Sequence, residues 1–151
     1  MSRMPGRMNE KEDQCEIPVY LPKGLKVGKE CKGGGDSMFE SVLFGLKDLV
    51  KDGLAVDVPE TVNELRMKVM NEVCKRPERL GMQNGRRYMK ELRAMCSPGI
   101  MPFPEVLFIV SLLFRVVIYV HFGMNRPIIY RADDLKDCKY VLHLQWLGEV
   151  H

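Results

Sequence analysis

Apolar positions recur at helical spacing through the first two thirds of the chain and gather into short runs in the last third. Phe39, Val42, Leu43, Leu46 and Val50 fall at i, i+3, i+4, i+7 and i+11, while Glu40, Lys47 and Asp48 take other faces. This single stripe predicts a helix from about Ser37 to Leu49, closed by Gly53. Asp57-Val58-Pro59-Glu60 has the spacing of a capping box with a proline in the first turn. It predicts a second helix with Val62, Leu65, Val69 and Val73 inward, ending before Pro77. A third is expected over Arg86 to Cys96, with Tyr88, Leu92 and Met95 on one side, broken by Ser97-Pro98-Gly99. Pro102 and Pro104 introduce a fourth, about Glu105 to Phe114. Runs rich in β-branched and aromatic residues predict strands at 116–120, 128–130 and 140–146. Helices early and strands late point to an α+β fold, with helices packed on a small central sheet.

The length, 151 residues, suits one domain. Residues 1–17 are polar, with Pro5, Gly6 and the run Glu10-Lys11-Glu12-Asp13, and are expected to form a flexible N-terminal arm before a domain over 18–151. Formal net charge is +3, and Lys and Arg are spread among acids, so no basic patch calls for nucleic acid. The N-terminus lacks the apolar core of a secretory signal. The most apolar stretch, Val106 to Val120, is too short for a membrane helix and carries Arg115 inside it. A cytoplasmic protein is expected. Cys15, Cys31, Cys74, Cys96 and Cys138 are odd in number and scattered, without a C-x-x-C pair. They read as free thiols, mostly buried or incidental, and neither a metal site nor a cofactor is expected. His121 and His143 fall in predicted strands and read as core or edge residues.

The block that carries chemistry is Gly33-Gly34-Gly35-Asp36-Ser37-Met38-Phe39. It feeds a polar residue into a helix N-terminus, where N–H groups are free and the helix dipole favours negative charge. A nucleophile there has its anion stabilised, and neighbouring N–H groups can hold a substrate oxyanion. Read by itself, the block is also an ordinary glycine loop followed by a serine N-cap. At the other end, Tyr140 to Trp146 is a strand followed by Gly148-Glu149-Val150-His151. A helix-start nucleophile and a histidine just beyond a late strand form a common hydrolase layout.

On these two blocks the chain resembles the OTU (ovarian tumour) cysteine proteases, most of which are deubiquitinases. Gly34-Gly35-Asp36-Ser37-Met38-Phe39 is similar to that family's Asp-Gly-Asn-Cys-apolar-Phe, and Val141-Leu142-His143-Leu144 followed by His151 is similar to its closing strand and histidine. The likeness spans about Gly33 to His151. It implies an OTU-like, papain-type fold and a thiol-dependent isopeptidase acting on ubiquitin or a ubiquitin-like modifier. It implies Ser37 at the nucleophile position, His151 as general base, and backbone N–H groups of Gly35, Asp36 and Ser37 as the oxyanion hole. It also implies a substrate-tail groove walled by Ser97, Pro98, Gly99, Gly148 and Glu149; Glu149 is a candidate to face an arginine of the tail, or else a turn acid facing solvent. The expected partner is ubiquitin or a relative, and the expected state a monomer.

Three departures bear on activity. Serine replaces the family's cysteine, Gly34 its leading aspartate, and Asp36 its asparagine. The chain stops at His151, so a truncated C-terminus is expected, without the aromatic residue and the acid that would orient the imidazole. A serine hydroxyl is far less acidic than a thiol, so the Ser37 form is expected to be inactive. Ser37 reads as a Cys→Ser change, favoured by the intact Met38-Phe39 frame and by His151, or as a natural pseudoenzyme that binds ubiquitin without cutting. Gly35-Asp36-Ser37-Met38 is also similar to the Gly-Asp-Ser-Leu block of lipase-like serine hydrolases. That reading lacks a preceding strand, an Asp at position 148 and a Gly-x-Asn-Asp block.

Overall fold

A computed structural model describes residues 5–6, 34–80, 85–123, 126–136 and 138–146. The fold mixes helices with a small sheet, in agreement with the α+β expectation. Pro5–Gly6 forms a two-residue strand, β1. Four α-helices follow among the described residues: α1 (Ser37–Lys51), α2 (Val62–Lys75), α3 (Met89–Ala94) and α4 (Val106–Phe114). The chain ends its described part with β2 (Val117–His121), β3 (Ile128–Tyr130) and β4 (Val141–Trp146). No helix among the described residues is long and apolar enough to cross a membrane.

The sheet order is β1-β4-β2-β3. β2 and β4 run parallel, with Tyr119 opposite His143, and β3 returns antiparallel to β2. β1 pairs antiparallel with β4, Pro5 opposite Trp146. The expected flexible arm therefore contributes this pair to a sheet edge, and its other residues lie outside those described. Side chains alternate across a strand, and here Ile118, Val120, Leu142 and Leu144 join the core formed with the helices. Tyr119, His121 and His143 gather on the other face.

The buried stripe of α1 includes Phe39, Val42, Leu43 and Leu46, as expected, whereas Val50, in the last turn, is exposed. Where α1 crosses β4, Gly45 lets the two elements close. A Cβ added there would lie 1.9 Å from Cδ1 of Leu142.

Several boundaries differ from expectation for local reasons. The second helix starts at Val62, not near Asp57. Thr61 is extended, and its hydroxyl accepts from the Glu64 N–H at 3.1 Å, so Thr61 with Glu64 supplies the cap. The third helix is split into a 3-10 turn (Gly85–Tyr88) and the short α3. A further 3-10 turn at Pro77–Leu80 was not expected. The strand after α4 begins one residue late because Arg115 adopts the left-handed conformation, φ 60° and ψ 45°, that ends the helix. Its guanidinium forks onto Asp134 at 2.7 and 3.1 Å. Ser111, a polar break in the apolar stretch, is buried and accepts the Ala132 N–H at 2.9 Å.

Gly45→Val should lower stability by about 1–3 kcal/mol, because a well-packed contact must open to admit the new side chain. Urea denaturation measures this, and a change below about 0.5 kcal/mol would show that α1 and β4 are not tightly packed there.

Candidate functional site

The glycine loop delivers Ser37 as the first residue of α1, buried at 1% exposure. Gly34 takes φ 126°, a conformation open mainly to glycine. The Ser37 hydroxyl donates to the Gly34 carbonyl at 2.9 Å, and the Ser37 N–H reaches the same oxygen at 3.3 Å. One of the three donors expected in the oxyanion hole is therefore turned into the loop itself. Ser41 Oγ donates to the Ser37 carbonyl at 2.8 Å. The expected catalytic partner, His151, lies outside the described residues, as do Gly33, Gly148 and Glu149.

Asp36 is the N-cap of α1, but its carboxylate makes no bond to that helix. It accepts instead from the Gly99 N–H at 2.8 Å and from Arg66 Nη2 at 2.7 Å. The Gly99 N–H is the main cause holding its carboxyl below the usual value of 3.8, with Arg66 adding to it and partial burial opposing.

Arg66 lies on the buried face of α2, with no exposed side-chain surface. Nη1 donates to the carbonyls of Met95 (2.8 Å) and Ile100 (2.7 Å). Nη2 donates to the Gly35 carbonyl (3.0 Å) as well as to Asp36. The guanidinium carbon lies 4.7 Å from the centre of the Phe39 ring. Nε is buried without a hydrogen-bond partner among the described residues. One side chain thus ties the glycine loop, the start of α1 and the segment after α3 together.

Of the expected groove wall, Gly99 reaches the glycine loop. A Cβ added to Gly35 would lie 1.7 Å from the Gly99 carbonyl oxygen and 2.2 Å from its carbon. At that point the two loops touch, backbone on backbone. Arg66 was missed by the sequence reading, although its place was visible. It occupies a position on the apolar stripe of Leu65, Val69, Met70 and Val73, where a charge requires partners.

His121 Nε2 and His143 Nδ1 are 2.8 Å apart on the sheet face away from the helices, beside Tyr119. Burial lowers the His121 pKa. A cavity of about 400 Å³ opens on that same face, lined by residues including Val117, Tyr119, Arg131 and Cys138. Among the described residues, no three metal-ligating side chains converge.

Arg66→Met should cost about 3 kcal/mol in urea denaturation, because three carbonyls lose a buried donor while the half-exposed Asp36 can rehydrate. A loss under about 1 kcal/mol would mean the clamp is dispensable. For Asp36 the folded pKa is depressed. Its contribution is full above the ordinary carboxylate pKa and is lost as pH falls through the lowered value. The stability gap between wild type and Asp36→Asn should therefore narrow as pH falls from about 5 through the lowered pKa. A gap that stays constant over that range would contradict the ionised pairing. No known family model matches this sequence, and no curated protein matches it.

Proposed function

We propose that this chain is an OTU-type isopeptidase domain for ubiquitin or a ubiquitin-like modifier, in a serine form that binds but does not cut. The observation that carries the reading is residue 37. It stands at the first position of a core helix, directly after a glycine loop, and that loop is clamped by Asp36, Arg66 and Gly99. A cysteine there would sit where the helix N-terminus favours a thiolate. The thiolate would attack the carbonyl of the isopeptide bond, and His151 would deliver a proton to the departing lysine amine. The substrate would be a tail ending in two glycines, of the Leu-Arg-Gly-Gly type. Such a tail passes a channel too narrow for side chains, so selectivity comes from exclusion. Glu149 is the residue proposed to meet its arginine, with Ser97 to Gly99 and Gly148 on the walls. The domain is proposed to act as a cytoplasmic monomer without cofactor.

A second reading, a non-catalytic ubiquitin-binding module, is favoured by the Ser37 hydroxyl. Its proton is given to the Gly34 carbonyl at 2.9 Å. The same bond counts against a Gly-Asp-Ser-Leu-type serine hydrolase, whose hydroxyl must hand its proton to histidine during attack.

Ser37→Cys separates the readings on a panel of di-ubiquitin linkages. Cleavage by the cysteine form, with none by the serine form, supports the isopeptidase. Binding of mono-ubiquitin by both forms in an NMR titration, without cleavage, supports the module. The absence of binding to ubiquitin or any ubiquitin-like protein at millimolar concentration overturns both.

A further inference from the structure

We infer that Cys74 and Cys96 form an oxidisable dithiol, and that their disulfide would staple the end of α2 to the segment that braces the candidate site. Cys74 lies in the last turn of α2 and Cys96 just past α3, yet their sulfurs are 3.8 Å apart. Both side chains are half-buried, within reach of a small oxidant. A disulfide needs about 2.05 Å between sulfurs, so an approach of about 1.8 Å is required. Besides Cys74, Cys96 Sγ makes a long contact to the Leu92 carbonyl, 3.8 Å. The third described thiol, Cys138, stands apart, against the carbonyls of Arg115 and Tyr140.

The position gives the pair its consequence. Cys96 follows Met95, whose carbonyl takes Arg66, and precedes Gly99, whose N–H binds Asp36. A covalent link there would pin the site's second loop to the helix that carries Arg66. None of this depends on what the site binds.

The chemistry balances with oxidised glutathione as oxidant. The Cys96 thiol loses its proton, and its thiolate attacks one sulfur of glutathione disulfide. That S–S bond breaks, and one glutathione leaves as thiolate. The Cys74 thiolate then attacks the Cys96 sulfur of the mixed disulfide and expels the second glutathione. Two electrons and two protons pass from the protein dithiol to yield two reduced glutathiones. Burial and the neighbouring Cys96 push the Cys74 thiol up to about 11, while the Arg93 guanidinium pulls it the other way. In the mixed disulfide Cys96 carries no charge, but burial, the largest cause, still holds the Cys74 thiol up, so the resolving step quickens as pH rises.

The test treats the full chain with millimolar oxidised glutathione at about pH 8.5, followed by alkylation and peptide mapping by mass spectrometry. A cross-linked peptide joining Cys74 to Cys96 supports the inference, as does a Tm higher by roughly 5 °C that reverts on reduction. Amide exchange at Gly99 and Ile100 should slow in the oxidised form. Cys74→Ser should leave Cys96 carrying a glutathionyl group, with no cross-link and no gain in Tm. Stable glutathionylation of Cys96 in the wild type beside a free Cys74, or cross-links to other cysteines only, would overturn the dithiol. A 74–96 cross-link that leaves exchange at Gly99 and Ile100 unchanged would overturn the stapling of the site.

Discussion

The guanidinium of Arg66 is the constraint on which the rest of the site depends. A charge with no exposed side-chain surface is tolerable only where most of its donors are met. Four oxygens meet Nη1 and Nη2, one of them the Asp36 carboxylate and three of them carbonyls. These acceptors come from residues 35, 36, 95 and 100, two stretches far apart in sequence. Carbonyl groups at loops and helix ends are the ones that secondary structure leaves unpaired. Arg66 collects them at one point, and neither loop can shift without leaving a donor or an acceptor unmet. A lysine could not reproduce this, since a planar fork sets four directions that an ammonium does not offer.

The arrangement also governs the field at residue 37. Asp36 places a carboxylate next to it in sequence, and an anion forming at 37 would be repelled by that charge. Arg66, 2.7 Å from the same carboxylate, offsets the repulsion. The helix N-terminus is then left as the main local field at residue 37, and it favours negative charge. The Gly35–Gly99 contact completes the geometry by excluding any side chain between the two loops. A site of this kind is made less by the residue at its centre than by what fixes the backbone around it.

Much of the fold was legible because its signals are local. The stripe Phe39, Val42, Leu43, Leu46 needs no partner to be read as a helix face, and the β-branched run after Arg115 reads as a strand by composition alone. Boundaries were less legible where two caps competed. Asp57 and Thr61 both open plausible capping boxes, and backbone conformation decided for Thr61. The candidate site was half legible. Gly34 to Ser37 announces itself by composition, and Ser97 to Gly99 by its turn residues. Their junction could not be read, because it is a meeting of backbone carbonyls, which sequence does not encode. The one available sign was an arginine on an apolar stripe. The proximity of Cys74 and Cys96 was hidden for the same reason: their spacing of 22 residues fits no ligand or redox motif.

Serine at position 37 satisfies the loop in a way that cysteine would not. Its hydroxyl gives the Gly34 carbonyl a 2.9 Å bond inside a buried turn. A thiol is a weak donor and would leave that carbonyl more poorly met. The preference of the fold thus runs against the requirement of thiol chemistry, since the group that settles the turn best is the one least able to ionise. Serine here stabilises the loop. A cysteine in the same place would stand in a more strained loop, with its sulfur freer to turn toward a substrate. Such opposition between local stability and reactivity is usual where a backbone is held in an uncommon conformation for chemistry. In this chain it is concentrated in one hydroxyl and the glycine carbonyl three residues before it.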